Sequence, residues 1–399
     1  MNMLEKSLAL HQEKRGKISV ESKVAINTRE DLALAYTPGV AEPCRKIAEN
    51  KEEVYKYTAK GNLVAVITDG TAVLGLGDIG PEAAMPVMEG KAILFKEFAG
   101  VDAFPICLNT KDTEEIIQTI VNIAPTFGGI NLEDISSPRC FEIERKLDEL
   151  LPIPVFHDDQ HGTAIVVSAG ILNSLRLIGK KINEIKVVLN GPGAAGTAIV
   201  YMLLELGVKQ ILVCDEHGIL NPDREMGLID HKKLLASKTN LTHETGDLSD
   251  ALKGADVFIG VSIGGIVTEE MIHSMNRDAV IFAMANPVPE ILYDAAKKAG
   301  AKVVGTGRSD FPNQINNVLA FPGIFKGSLA VRATTINAEM KFAAAKAIAD
   351  MVTDEELSEE YVIPDALNKE VAKQVAKYVA QAAIDTGVAT QSIEGEQNG

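Results

Sequence analysis

Cysteine is scarce in this sequence. Cys44, Cys107, Cys140 and Cys214 are scattered over 399 positions with no CxxC pair, so neither a structural zinc site nor a disulfide framework is indicated. A reducing cytoplasm is the compartment that fits. Basic residues are in deficit as well: 39 Lys and Arg face 55 Asp and Glu, a net charge of −16. Such a chain repels phosphate backbones and anionic lipid, which argues against nucleic acid and membrane as partners. Taken alone, the same charge also argues against small anionic substrates. Long apolar runs are missing: no stretch reaches the ~18–20 residues of a membrane span. The N-terminal segment MNMLEKSLALHQEKRGK lacks the apolar centre of a secretory signal. No repeat of solenoid period occurs. What is present is an ordinary globular composition, 46% hydrophobic and 24% charged, long enough for two domains at roughly 100–200 residues each.

The pattern along the chain predicts an α/β fold. Residues 1–60 are polar and lean towards helix, interrupted at 35–44 by AYTPGVAEPC. An apolar run at 63–67 reads as a buried strand and enters a loop containing Gly70, Gly75, Gly77 and Gly80. A helix is expected at 112–123 and another at 141–151. Short strands at 128–134 and 151–159 both end in carboxylates. From about 161 the rhythm changes. Strands at 185–190, 211–215, 256–261, 279–286 and 302–307 alternate with helices, which predicts a parallel sheet covered on both faces. Two further helical stretches, 333–352 and 366–386, should fold back on one of the domains.

Gly191-Pro-Gly193-Ala194-Ala195-Gly196 directly follows the strand IKVVLN and opens a helix, which is the context a GxGxxG turn requires. The first glycine permits the tight turn, the second lets a pyrophosphate approach, and the third lets helix and strand pack closely. The helix N-terminus offers N–H groups to phosphate. The next strand ends at Asp215, 24 positions after Gly191, where an acid can accept from a ribose hydroxyl. With Glu216 beside it and no adjacent arginine, NAD is favoured over NADP.

Glu133-Asp134 and Asp158-Asp159 each close a short apolar strand. Neighbouring strands of one parallel sheet would bring both pairs to the same carboxyl edge, where α/β folds place their sites. Converging carboxylates suit Mg²⁺ or Mn²⁺. Either pair by itself also fits a solvated turn or a helix cap. His157 and His161 read as packing or hydrogen-bonding residues rather than ligands.

Eight segments then resemble one family. AYTPGVAEPC, TDGTAVLGLGDIG, PVMEGKA, NLEDI, VFHDDQHGTA, GPGAAG, FAMANP and NNVLAFPGIF occur in the order found in malic enzymes, and look most like the small-subunit bacterial and archaeal type. The resemblance spans about residues 20–385. It implies oxidative decarboxylation of L-malate to pyruvate and CO₂ with NAD or NADP and a divalent cation. It also implies a capacity to decarboxylate oxaloacetate, and a homodimer. Malolactic conversion of L-malate to L-lactate is the alternative on the same residues. By this resemblance Tyr36 is the general acid, Lys91 the general base and a substrate contact, and Asp158 the carboxylate that orients the lysine. Glu133, Asp134 and Asp159 match metal-ligand positions, and Asn286 and Asn317 match positions near substrate and nicotinamide.

The domains so implied are an N-terminal α/β substrate and metal domain at 1–160 and a Rossmann-type, doubly wound NAD domain with C-terminal helices at 161–387. A flexible tail is expected at 388–399. One departure stands out. Where larger malic enzymes carry a substrate-clamping arginine, this chain reads Thr71-Ala72-Val73. Lys60, Arg308 or a side chain from a second subunit are the candidate replacements. The acidic balance then has a local use, because some of these carboxylates would hold the dication that, with Lys91, meets malate.

Overall fold

A computed structural model describes residues 2–73 and 75–392. The first sheet holds β1 (Leu63–Thr68), β2 (Asp102–Cys107), β3 (Gly129–Leu132) and β4 (Val155–His157), in the order β2-β1-β3-β4 and all parallel. The central strand β1 is buried on both faces, as its unbroken apolar run LVAVIT requires. Val64 and Val66 enter one core, Ala65 and Ile67 the other. The sequence reading did not anticipate β2, which contains Pro105. It lies at the sheet edge, where a residue without an N–H is tolerated.

The second sheet holds β5 (Lys186–Asn190), β6 (Gln210–Asp215), β7 (Gly218–Ile219), β8 (Val257–Gly260), β9 (Val280–Ala283) and β10 (Val303–Thr306). Its order is β10-β9-β8-β5-β6-β7, parallel except for the two-residue β7, which pairs antiparallel with β6. This is the doubly wound arrangement with its third strand reduced to a short antiparallel edge. The order reverses between β5 and β8, so a crevice opens beyond their carboxyl ends. Val187 and Leu189 pack on one face, Val188 on the other, following the strand period of two.

The helix Asp158–Ile178 leaves β4 and runs through the centre of the molecule with most of its residues buried. By length and mean hydropathy, 1.3, it would pass for a membrane span, but 67% of that window is buried inside the protein. Its apolar surface is that of a core helix packed against the helices Ala194–Glu205 and Ala338–Asp350. The C-terminal helices do not serve a single domain. Phe321–Ala330 and Lys369–Asp385 pack on the helix Pro81–Ala99 of the first layer, where Phe95 meets the Phe321 ring edge-on at 4.7 Å. One core therefore runs from Val64 and Phe95 through Ile165 to Val187 and Phe282.

The stretch expected to be loose from 388 is tied down at its start. Thr390 and Gln391 donate their N–H groups to the Val331 carbonyl, and Val388 accepts from Thr334. The rest of that expectation, 393–399, lies outside the described residues.

Candidate active site

The two acidic pairs meet because their strands do. Leu132 of β3 is the register partner of His157 of β4, so Glu133-Asp134 and Asp158-Asp159 leave the sheet side by side. Asp134 adopts a left-handed backbone, φ +54°, and donates its N–H to Asp159 Oδ2 at 2.7 Å. One ligand oxygen from each of Glu133, Asp134 and Asp159 lies within 4.8 Å of the other two. Asp134 Oδ2 is buried without a hydrogen-bond partner. A buried orphan oxygen within an all-oxygen donor set fits a hard dication such as Mg²⁺ or Mn²⁺. Neither histidine joins the set. His161 donates to Glu144 at 2.9 Å. His157 is fully buried, which holds its pKa down at about 4 and the ring neutral.

Lys91 sits opposite, on the helix Pro81–Ala99. Its ammonium lies 2.6 Å from Asp158 and 3.0 Å from Glu133 and rests over the Phe321 ring, 4.3 Å from its centroid. Asn317 donates to the same Asp158 oxygen, so that carboxylate is gripped from two sides. Burial pushes all four acids up and their mutual repulsion adds to it, while Lys91 counteracts. Asp159 is raised to about 6, Glu133 and Asp158 to about 7, and Asp134 to about 9. Burial pulls the Lys91 ammonium down, but Asp158 and Glu133 more than offset it and hold the lysine charged.

The glycine turn closes the other side. Gly191 has φ +108°, and a Cβ there would fall 2.6 Å from the Val261 carbonyl oxygen. At Gly196 a Cβ would lie 2.0 Å from the Gly191 oxygen, whereas at Gly193 it would meet nothing within 4 Å. The first and third glycines are thus required by packing, and the second faces open space at the N-terminus of Ala194–Glu205. Gly196→Ala is expected to destabilise the fold by about 1–3 kcal/mol, read as a lower denaturant midpoint. Gly193→Ala should keep the midpoint and weaken dinucleotide binding in calorimetry. Equal midpoints in the two variants would contradict this division of roles.

Asp215 requires a correction. Its side chain is fully buried and both oxygens are taken. Arg224 donates to Oδ1 and Oδ2 at 2.9 and 2.7 Å, Lys232 to Oδ2 at 2.7 Å, and the His217 N–H to Oδ1. Burial works to raise this acid, but those donors outweigh it and hold the pKa at about 2. No arginine adjoins Asp215 in the sequence, but the fold brings two cations to it. Arg224 lies only nine positions on, but the return through β7 that brings it back is not legible in a linear pattern. Charge repulsion of a ribose phosphate no longer follows from Asp215.

Both halves open into one cavity of about 1220 Å³, larger than the ~300–1,000 Å³ usual for small-ligand pockets. Lys91, Glu133, Asp134 and Asp159 line one part, and Ala194, Ala195 and Ser262 another. Asn286 and Asn317 also line it, as do Ala72, Gly75 and Gly77 of the glycine-rich loop.

Tyr36 is not among the lining residues. It caps the helix Arg29–Ala35 through an N–H bond to the Leu32 carbonyl, and the residue is 67% exposed. No residue described before Lys60 is buried, and the arm's bonds to the helix Pro81–Ala99 are made at Lys17, not at Tyr36. The proposed stand-ins for the missing arginine are engaged elsewhere. Lys60 donates to the carbonyls of Ala124, Pro125 and Phe127, and Arg308 is doubly bonded to Asp310.

The sequence reading missed three residues. Glu144 accepts from the His157 N–H and from His161, anchoring the turn that presents Asp158 and Asp159. Its signal was a charge on the apolar stripe Cys140, Ile143, Leu147. Glu290, fully buried, ties the loops after β8 and β9 together by accepting from the N–H groups of Ser262 and Ala285. No periodicity marks it. Lys17 lines the cavity from the N-terminal arm.

Comparison with known proteins accords with this geometry. Residues 14–148 match the family model for the malic enzyme N-terminal domain, and residues 160–307 and 300–384 that for the malic enzyme NAD-binding domain. A bifunctional malic/malolactic enzyme of Bacillus subtilis is 58% identical over 397 residues, covering 100% of this chain and 97% of the relative. An NAD-dependent malic enzyme of Geobacillus stearothermophilus is 59% identical over 374 residues, covering 94% of this chain and 78% of the relative. The crystal structure of a malic enzyme from Pyrococcus horikoshii superimposes with a TM-score of 0.95 at 53% identity, covering 99% of this chain and 93% of that one. The chain belongs to the malic enzyme family.

Proposed function

We propose that this chain oxidises L-malate at C2 with NAD as hydride acceptor and releases pyruvate and CO₂. One observation carries the reading: a single cavity is lined by Lys91 with three converging carboxylates and by the residues of a pyrophosphate turn. Glu133, Asp134 and Asp159 would hold Mg²⁺ or Mn²⁺, which supplies Lewis-acid polarisation of the C2 oxygen. Were Glu133 taken up as a ligand, Lys91 would lose one of the two carboxylates that stabilise its charge and keep Asp158 as its partner. Lys91, charged in the site as it stands, must first give its ammonium proton to solvent; as the neutral amine, Nζ takes the C2 hydroxyl proton while hydride leaves C2 for the nicotinamide. Asp158, gripped by Asn317, keeps Nζ in position. After CO₂ departs, C3 needs a proton, the role assigned to Tyr36. Asn286 and Asn317 orient substrate and nicotinamide.

The assay follows reduced-nicotinamide absorbance with L-malate and Mn²⁺ and identifies the product. Net NADH with pyruvate is expected. The name of the Bacillus subtilis relative makes lactate the competing product, and lactate without net NADH would replace the reading with malolactic chemistry.

The exposure of Tyr36 supports a homodimer in which one copy's arm completes the other copy's cavity. Leu32, Leu34 and Tyr36 are 50%, 70% and 67% exposed within five residues, an apolar surface left bare by its own chain. Tyr36→Phe and Lys91→Ala should each be inactive. Mixed after reversible dissociation, they should recover about a quarter of wild-type activity, because half the dimers are hybrids with one intact site each. A mixture as dead as its components overturns the shared site.

A further inference from the structure

The cavity has a charge deficit. Glu133, Asp134, Asp158 and Asp159 set four carboxylates against the single Lys91 ammonium. Even a bound dication leaves one negative charge uncompensated when all four are ionised. A substrate with two carboxylates then meets a site that repels one of its ends, unless another cation is at hand.

Among the described lining residues the second permanent cation is Lys17. It follows the helix Met3–Lys14 and is half-buried. Two contacts pin it to the lysine-bearing helix. Its backbone N–H donates to Glu89 Oε2 at 2.9 Å, and its ammonium donates to the Pro86 carbonyl at 2.6 Å. A Cβ built on Gly90 would lie 3.7 Å from Nζ, so the ammonium rests against the residue that precedes Lys91. Its other polar contact is His11 Nε2 at 2.8 Å. Among the described residues no carboxylate forms an ion pair with it, and one of its three N–H bonds is left for the cavity. Burial draws its pKa below the usual lysine range, with Glu89 as a partial offset. An anion in the cavity would reverse that.

We propose that Lys17 binds the second carboxylate of the dicarboxylate substrate, in place of the arginine that the Thr71-Ala72-Val73 segment lacks. The inference rests on the malate reading, which identifies the ligand as a dicarboxylate. It makes the N-terminal arm part of the substrate site and Lys17 a residue that discriminates dicarboxylates from monocarboxylates.

The test uses the full-length enzyme loaded with Mn²⁺. Lys17→Ala is expected to raise KM for L-malate about ten-fold, the size of one charge-assisted hydrogen bond, with kcat changed far less. Calorimetric Kd values supply a readout independent of turnover. L-malate without NAD should bind about ten-fold more weakly to the variant. Glycolate, which keeps the hydroxy-acid end but lacks the second carboxylate, should bind as it does to wild type. Lys17→Arg should restore malate binding. If malate and glycolate weaken together, Lys17 only anchors the arm and the proposal falls. It falls equally if neither weakens. If wild type binds malate in a Lys17-dependent way yet does not oxidise it, the inference stands and the proposed function is what fails.

Discussion

Lys91→Arg is expected to lower kcat for malate oxidation by about 10²–10⁴-fold, the usual contribution of a general base, while leaving NAD binding and stability near wild type. Arginine keeps a positive charge between Asp158 and Glu133, but its guanidinium does not deprotonate in proteins. Lys91→Met separates the structural part. It removes the charge from a buried cluster in which Nζ sits 2.6 and 3.0 Å from two carboxylates. Breaking a buried pair by deleting one partner costs about 3–5 kcal/mol, unless the remaining acids take up protons. Glu133 and Asp158 stand at about 7 even with the lysine present, and without it they move higher. They hold protons that the unfolded chain, with values near 4, has released, so the variant's stability falls as pH rises. Its deficit in denaturant midpoint should therefore be small at pH 6 and large at pH 8.5. Wild-type turnover by Lys91→Arg would remove the lysine from the role of base.

The second large effect concerns the dication. With the metal stripped, Asp159, Glu133 and Asp134 stand at about 6, 7 and 9, so near neutrality the site carries protons that a ligand set must lose. Mn²⁺ affinity is expected to rise about ten-fold or more per pH unit between about 6 and 9. The same groups set the sign of apo stability. Their folded values exceed the unfolded ones, so the metal-free protein loses stability as pH climbs through that window. Bound metal removes this loss by favouring the ionised acids. The gap in Tm between Mn²⁺-loaded and chelator-treated protein should widen from pH 6 to pH 8.5. A gap that stays constant would mean that the three carboxylates do not titrate with metal binding. Asp159→Asn should also flatten the pH dependence, because one of the displaced protons is gone.

Much of the site was legible because strand ends and turns are local. Glu133-Asp134 and Asp158-Asp159 each follow a short apolar run, and a run of three to six residues ending in charge leaves few places for the charge except the sheet edge. Gly196 was readable for the same reason, because a Cβ there would meet Gly191 and Leu189 of its own turn and strand, whereas Gly191 is confined by Val261 just beyond β8 and Gly193 by no atom within 4 Å. The reading was weakest where a contact joins distant segments. Arg224 and Lys232 converge on Asp215 only after the chain reverses at β7. Lys17 reaches the cavity because its backbone is hooked to Glu89, 72 positions away. Neither placement leaves a periodic trace.

The sequence by itself determined the α/β alternation, the GxGxxG turn and the acidic strand ends, and the motif order pointed to one family. These depend on side-chain period, backbone freedom and short-range order, which neighbouring residues set. Only the tertiary structure decided which charges face one another. It set Lys91 between Asp158 and Glu133, left Asp134 with a buried oxygen lacking a partner, saturated Asp215 with cations, and left Tyr36 outside the cavity of its own chain. The physical reason is that electrostatic energy depends on distance and burial, and both are properties of the packed chain rather than of its local segments.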